Sequence, residues 1–201
     1  MGELAAIVLC GGESRRMGRP KAWLDFGEEK LLSRVVRLVG TVADPVVVVA
    51  APGQDLPVLP EGTTVARDAL PGRGPLEGLL AGLWALPPET QFAYATATDA
   101  PFLNPSWITL LRQTIGSDDM ALPYVGGRHH PLAALYRVRS VRPAVERLLR
   151  ADRCRLLDLM EAVRTRVVRQ EELEAVDRGC PTLRNLNSPE EYQQAIRDAR
   201  L

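Results

Sequence analysis

The sequence predicts an α/β fold of three layers, α/β/α, on a mainly parallel twisted sheet with an antiparallel strand in the second half. Two observations carry this. Short runs that are apolar almost throughout occur at 4–10 (LAAIVLC, ending at Gly11-Gly12), at 46–50 (VVVVA, after Pro45) and at 92–97 (FAYATA, stopping at Thr98-Asp99-Ala100-Pro101). Strands buried on both faces look like this. Segments of helical periodicity lie between them, and strand alternating with helix implies crossover connections, parallel pairing and helices on both faces.

Taken in order, Leu31, Leu32, Val35, Val36, Leu38 and Val39 give one apolar face from about 30 to 42. Leu76, Leu79, Leu80 and Leu83 recur at i, i+3, i+4 and i+7. In the second half, 107–115 reads as helix after Pro105, and 121–125 and 132–137 read as strands flanking a Gly-Gly-Arg-His-His turn. Residues 141–149 are helical again and 165–169 (TRVVR) suit an edge strand. The last helix, 188–200, opens on Ser188-Pro189-Glu190-Glu191, which supplies an N-cap, an N1 proline and an acidic first turn. No linker, repeat or composition shift interrupts the chain, so a single domain over 1–201 is expected.

The composition excludes several functions. Lys+Arg 25 balances Asp+Glu 25 over 201 residues, and a protein that coats nucleic acid would carry a basic surplus. With 46% hydrophobic and 25% charged residues the chain is globular in type. The three cysteines, Cys10, Cys154 and Cys180, show neither disulfide pairing nor zinc-ligand spacing to His129 or His130. Adjacent histidines on a strand point to opposite faces, so these two read as pocket lining or surface rather than as a chelating pair. The first apolar run is too short for a signal or spanning segment and has no basic region before it. The expectation is a cytoplasmic protein with no membrane and no nucleic-acid partner, monomeric or weakly self-associating.

Three segments carry chemistry in their residue types. Residues 9–22 (LCGGESRRMGRPKA) follow the first strand, where open parallel sheets bind ligands. Gly11, Gly12 and Gly18 allow close backbone approach to an anion, and Arg15, Arg16, Arg19 and Lys21 face only Glu13. This is a phosphate-binding loop in kind, without the Gly-Lys-Ser/Thr ending of nucleoside triphosphatases or the dinucleotide G-x-G-x-x-G. Only two lysines occur, Lys21 and Lys30, so Lys21 stands out in an arginine-rich chain. Asp99, directly after a strand and held by a proline turn, suits a metal-binding carboxylate or, alternatively, a turn cap. The third segment is Arg67-Asp68 followed by Pro71-Gly72-Arg73-Gly74-Pro75-Leu76-Glu77-Gly78. By composition alone it is a loop running into a helix.

The pattern L-x-G-G-x-S-x-R-M-G-x-x-K-A at 9–22 resembles the signature loop of the nucleotidyltransferase superfamily. That superfamily includes molybdenum cofactor guanylyltransferase, sugar-phosphate nucleotidyltransferases and methylerythritol cytidylyltransferases. The resemblance implies a Rossmann-like fold in which Leu9, Cys10, Gly11, Gly12, Arg16 and Lys21 meet the nucleotide, with Arg16 and Lys21 on the triphosphate. Thr98-Asp99-Ala100-Pro101 is similar to the family's Cys-Asp-x-Pro, with threonine for cysteine, and implies Asp99 as the Mg²⁺ ligand. Asp68 matches a nucleotide-site aspartate. Glu77 stands where alanine is usual, and if directed into the base pocket it would alter base preference.

Asn185-Leu186-Asn187-Ser188-Pro189-Glu190-Glu191 resembles the guanylyltransferase's Asn-x-Asn-Thr-Pro-Glu-Glu, whose asparagines are associated with the pterin. The same asparagines equally suit helix capping. The resemblance spans about 4–191 and implies a nucleotide-binding half at about 1–103 and an acceptor-binding half at about 104–201. It implies Mg²⁺-dependent transfer of GMP from GTP to the terminal phosphate of molybdenum molybdopterin, by Arg16, Lys21 and Asp99, with transient contact to molybdoenzyme biosynthesis proteins. Cytidylyl transfer to the same pterin, another small nucleotidyltransferase, and a non-catalytic module that delivers the cofactor are the alternatives.

Overall fold

A computed structural model describes residues 3–11, 20–68 and 73–199. Its first strand, β1 (Leu4–Leu9), is followed by a two-residue hairpin, β2 (Asp25–Phe26) and β3 (Glu29–Lys30), and by α1 (Leu31–Gly40). Next come β4 (Val46–Ala50), β5 (Thr64–Arg67), α2 (Pro75–Ala85) and β6 (Phe92–Ala97). The remainder comprises α3 (Pro105–Thr114), β7 (Met120–Val125), β8 (Arg128–His129), β9 (Ala133–Arg137), α4 (Val138–Arg150), α5 (Leu159–Ala162), β10 (Thr165–Arg169), α6 (Gln170–Leu173) and α7 (Pro189–Asp198).

The main sheet runs β10-β7-β9-β6-β1-β4-β5, with β8 attached to β7. Pairing is parallel from β6 through β1 and β4 to β5, and again between β7 and β10. β9 is antiparallel to both of its neighbours. Both faces of the sheet are buried, which explains the unbroken apolar runs. Ala6 and Val8 of β1 face a core with Leu32, Val35 and Val36 of α1 and Trp107, Ile108 and Leu111 of α3. Ala5, Ile7 and Leu9 face Leu76, Leu79 and Leu83 of α2 and Val141, Val145 and Leu148 of α4. The approach of α2 is close: a Cβ on Gly82 would lie 2.5 Å from Cγ2 of Ile7, so only glycine fits.

The expected helices and strands are present, and the differences lie at edges. β5 borders only β4 and its side chains are exposed or half-buried, so it carries no apolar run. The turn expected at 126–130 is shorter than the sequence suggests. Gly126 and Gly127 both take positive φ (58° and 75°), as a tight hairpin requires, and Arg128–His129 already pair back on β7. At the last helix, Ser188 Oγ accepts from the Glu191 amide, and the Glu191 carboxylate accepts from the Ser188 amide. This is a capping box built by serine rather than by the asparagines.

Candidate active site

Parallel strands place their C-terminal ends on one edge of the sheet. Leu9 pairs with Val49 and with Ala97, and Ala50 pairs with Arg67, so residues 9–11, 50–54, 67–68 and 97–99 emerge together. Because β9 runs the other way, with Ala133 opposite Thr96, the loop preceding it reaches the same edge. Thr98 ties two of these ends: its amide and its Oγ1 both donate to the Leu9 carbonyl, at 3.1 and 3.2 Å.

Three expected residues meet at this edge from distant parts of the chain. Lys21 Nζ donates to Asp99 Oδ2 at 2.6 Å and to Asn187 Oδ1 at 3.1 Å. The side chain of Asp99 is 13% exposed and that of Lys21 21%. The other oxygen of Asp99, Oδ1, is buried with no hydrogen-bond partner among the described residues. A satellite core holds the arrangement. Leu24, Phe26 and Leu31, which follow Lys21, pack with Leu186 and Ala195. The Leu186 amide donates to the Asp99 carbonyl at 3.0 Å, and Tyr192 Oη of α7 donates to the Asp25 carbonyl. Asn187 therefore uses its side chain on Lys21 and does not cap the helix.

Two cavities lie along this edge; the triad lines neither, but Asp99 stands two residues beyond Ala97 of the first and Asn187 two residues beyond Asn185 of the second. The smaller, about 310 Å³, is lined by Leu9, Gly11, Ala50, Ala51, Asp68, Gly78 and Ala97, among others. The larger, about 800 Å³, is lined by Arg73, His129, His130, Arg155, Asp158, Thr182 and Asn185, among others. Gly74, Pro75 and Leu132 border both. Gly74 has φ 96° and precedes Pro75 at the start of α2, a bend that glycine permits.

Leu9, Gly11 and Asp68 thus line the first cavity and Asn185 the second. Cys10 lies behind the wall of the first. Its amide donates to the Val49 carbonyl at 2.7 Å, and burial pushes its thiol up from the ordinary range despite contacts from Thr98 and Gln54, so it stays a neutral thiol. Gly12 and Arg16 lie outside the described residues.

Glu77 is not among the residues lining either cavity; its Oε2 is buried 3.9 Å from Nη1 of Arg73, which lies four residues earlier, just before α2, so the carboxylate is turned to that arginine. The adjacent histidines do not take opposite faces of a strand, because β8 ends at His129 and the chain turns at His130, whose ring nitrogen lies 3.2 Å from the Val125 carbonyl. Both line the larger cavity, and burial lowers the pKa of His130, favouring the neutral imidazole. Among the described residues no group of three or more His, Cys, Asp or Glu could hold a metal ion by itself.

Sequence reading missed Gln54 and the role of Arg67. Gln54 Nε2 donates to the Cys10 carbonyl at 3.1 Å and its Oε1 accepts from the Ala51 amide at 3.0 Å. Arg67 Nη1 donates to the carbonyls of Ala51 and Gln54, both at 2.9 Å. Together they fix the wall of the smaller cavity. A glutamine in a Pro-Gly turn has no pattern that announces such a contact.

The family model for the MobA-like NTP transferase domain matches residues 6–188. The chain belongs to this family. As a MobA-like protein it is a nucleotidyltransferase. A probable molybdenum cofactor guanylyltransferase of Mycobacterium tuberculosis is 42% identical over 164 residues, covering 79% of this chain and 80% of the relative. One from Pelotomaculum thermopropionicum is 32% identical over 195 residues, 96% of this chain and 92% of the relative. Among solved structures, molybdopterin-guanine dinucleotide biosynthesis protein A of Archaeoglobus fulgidus matches at TM-score 0.79 and 20% identity over 98% of each chain. The 2-C-methyl-D-erythritol 4-phosphate cytidylyltransferase of Thermus thermophilus matches at 0.70 and 17% over 100% of each. At these identities the structural likeness is one of fold, the Rossmann-like nucleotidyltransferase fold. No helix among the described residues is long and apolar enough to cross a membrane.

Proposed function

We propose that this MobA-like enzyme transfers GMP from GTP to the terminal phosphate of molybdenum molybdopterin, releasing pyrophosphate and forming the guanine dinucleotide. The observation that carries the reading is the meeting of Lys21, Asp99 and Asn187 beside two adjoining cavities. The names of the relatives from Mycobacterium and Pelotomaculum support the choice of guanylyl transfer.

An acceptor phosphate oxygen attacks the α-phosphorus, and the bond to the bridging β-phosphate oxygen breaks as pyrophosphate leaves. The nucleophile is already an anion, so no strong base is needed. Alignment and charge neutralisation supply the rate. In this reading the nucleoside occupies the smaller cavity, with Asp68 at its rim, and the pterin occupies the larger one beside Asn185 and Asn187. Lys21, with Arg16 of the loop, offsets the negative charge that grows on the departing pyrophosphate. Asp99 fits a divalent cation: one of its carboxylate oxygens is held by Lys21, and the other is buried without a partner among the described residues. Magnesium held by Asp99 would supply Lewis-acid neutralisation of the phosphates. The whole chain acts as one domain, its first half binding nucleotide and its second the acceptor. It works in the cytoplasm as a monomer or weak oligomer, in passing contact with molybdoenzyme biosynthesis proteins.

The test is incubation with Mg²⁺, molybdopterin and each of the four nucleoside triphosphates, with the product identified by mass. The guanine dinucleotide is expected. A cytosine product would assign cytidylyl transfer, and nucleotide binding without any product would assign a carrier.

A further inference from the structure

We propose that Asn187 is a positioning residue for Lys21, acting on the nucleotide side of the reaction as well as the acceptor side; this rests on reading Lys21 as the cation that meets the triphosphate. The lysine stem has four carbons and rotates freely, so an ammonium at its end needs outside contacts to hold one place. Asp99 Oδ2 supplies one at 2.6 Å and Asn187 Oδ1 a second at 3.1 Å, from sequence positions 78 and 166 residues away.

Asn187 is itself held. Its amide donates to Glu191 Oε2 at 2.6 Å, and the preceding residue, Leu186, is buried against Leu24 and Phe26 while its amide bonds the Asp99 carbonyl. The amide oxygen that steadies Lys21 is thus anchored to the segment carrying Lys21 and to the backbone of Asp99, which makes a closed frame. The chemistry of asparagine suits the task. Asp99 already offsets part of the ammonium's charge, and a neutral amide oxygen fixes the group without offsetting more of it, so what charge is left remains for phosphate. A second carboxylate in that place would compete with the phosphates.

The experiment is calorimetric titration with Mg-GTP in the absence of any acceptor, on wild type, Asn187→Ala, Lys21→Ala and the double variant, with thermal midpoints compared. Asn187→Ala is expected to weaken Mg-GTP about three- to tenfold, the cost of immobilising a freed long side chain. In the Lys21→Ala background the same change is expected to do nothing further, because the group it positions is gone. If Asn187→Ala binds Mg-GTP as tightly as wild type, or weakens it equally with Lys21 absent, the inference is overturned. Failure of wild type to bind Mg-GTP would overturn the functional reading instead, and wild-type affinity in Lys21→Ala would remove the role assigned to Lys21.

Discussion

Apart from Asp68, the smaller cavity is walled by backbone and compact side chains such as Leu9, Gly11, Ala50, Ala51, Gly78 and Ala97, whereas the larger presents Arg73, His129, His130, Arg155, Asp158 and Asn185. The first is made where buried parallel strands end, so its shape follows from packing and from the bonds that Gln54, Arg67 and Thr98 make to main chain. The second is made from a hairpin loop and the region following α4, and its character comes from side chains. A flat ring is best sorted by the width of a rigid slot, and a charged, branched ligand by the pattern of donors and acceptors it meets.

Changes at the triad beside both cavities should cost most. Asp99→Ala and Lys21→Ala are each expected to lower pyrophosphate release on the order of a hundredfold or more, with unfolding midpoints near wild type. Near-normal turnover in either would remove the triad from the chemistry. Gly78→Val comes next. A Cβ there already lies 3.4 Å from Leu9 Cδ2, so branching intrudes on the smaller cavity, and the nucleotide KM should rise about tenfold while the acceptor KM holds. Gly82→Ala, one turn on, provides the contrast: it meets Ile7 rather than the cavity, and should cost stability, about 1–3 kcal/mol in denaturant titration, without changing nucleotide KM. On the other side, Asn185→Ala is expected to raise the acceptor KM severalfold, as loss of one or two hydrogen bonds would, and to leave nucleotide titrations as in wild type. A matched rise in both KM values would merge the two cavities into one functional unit.

The smallest effect belongs to Glu29, which lines neither cavity and braces α1 through Arg34 and Arg37. The hydrogen bond from Arg37 holds the Glu29 carboxyl below its ordinary value, against a smaller opposing effect of burial. Its contribution is therefore present above the ordinary carboxylate range and is lost as pH falls through the lowered value. Glu29→Gln should remove a few tenths to about 1 kcal/mol near neutrality and show less loss on acidification, measured by urea unfolding at several pH values.

Legibility in the sequence followed burial. The strands β1, β4 and β6 are covered on both faces, so their residues had to be apolar throughout, and α1 and α2 show the spacing of one buried face. β5, exposed at the edge, and the two-residue strands β2 and β3 leave no such trace. In the site, Lys21 and Asp99 stood out because each follows a strand end in a phosphate- or metal-suited context. The contact of Lys21 with Asn187 did not, since nothing local to either residue encodes a partner 166 positions away. Glu77 shows the converse: its place in a recognisable motif leaves the direction of its side chain open, and the carboxylate is turned to Arg73.

The reversed direction of β9 has an evolutionary consequence. In a sheet of parallel strands alone every loop at the ligand-binding edge leads away to a crossover, whereas reversal at β9 turns the exit of β7 straight back into the next strand, through Gly126, Gly127, His129 and His130. That loop can lengthen or change residue by residue without disturbing the exits of β1, β4 and β6. Such changes reach the larger cavity, which His129 and His130 line, and leave the strand-end walls of the smaller one in place.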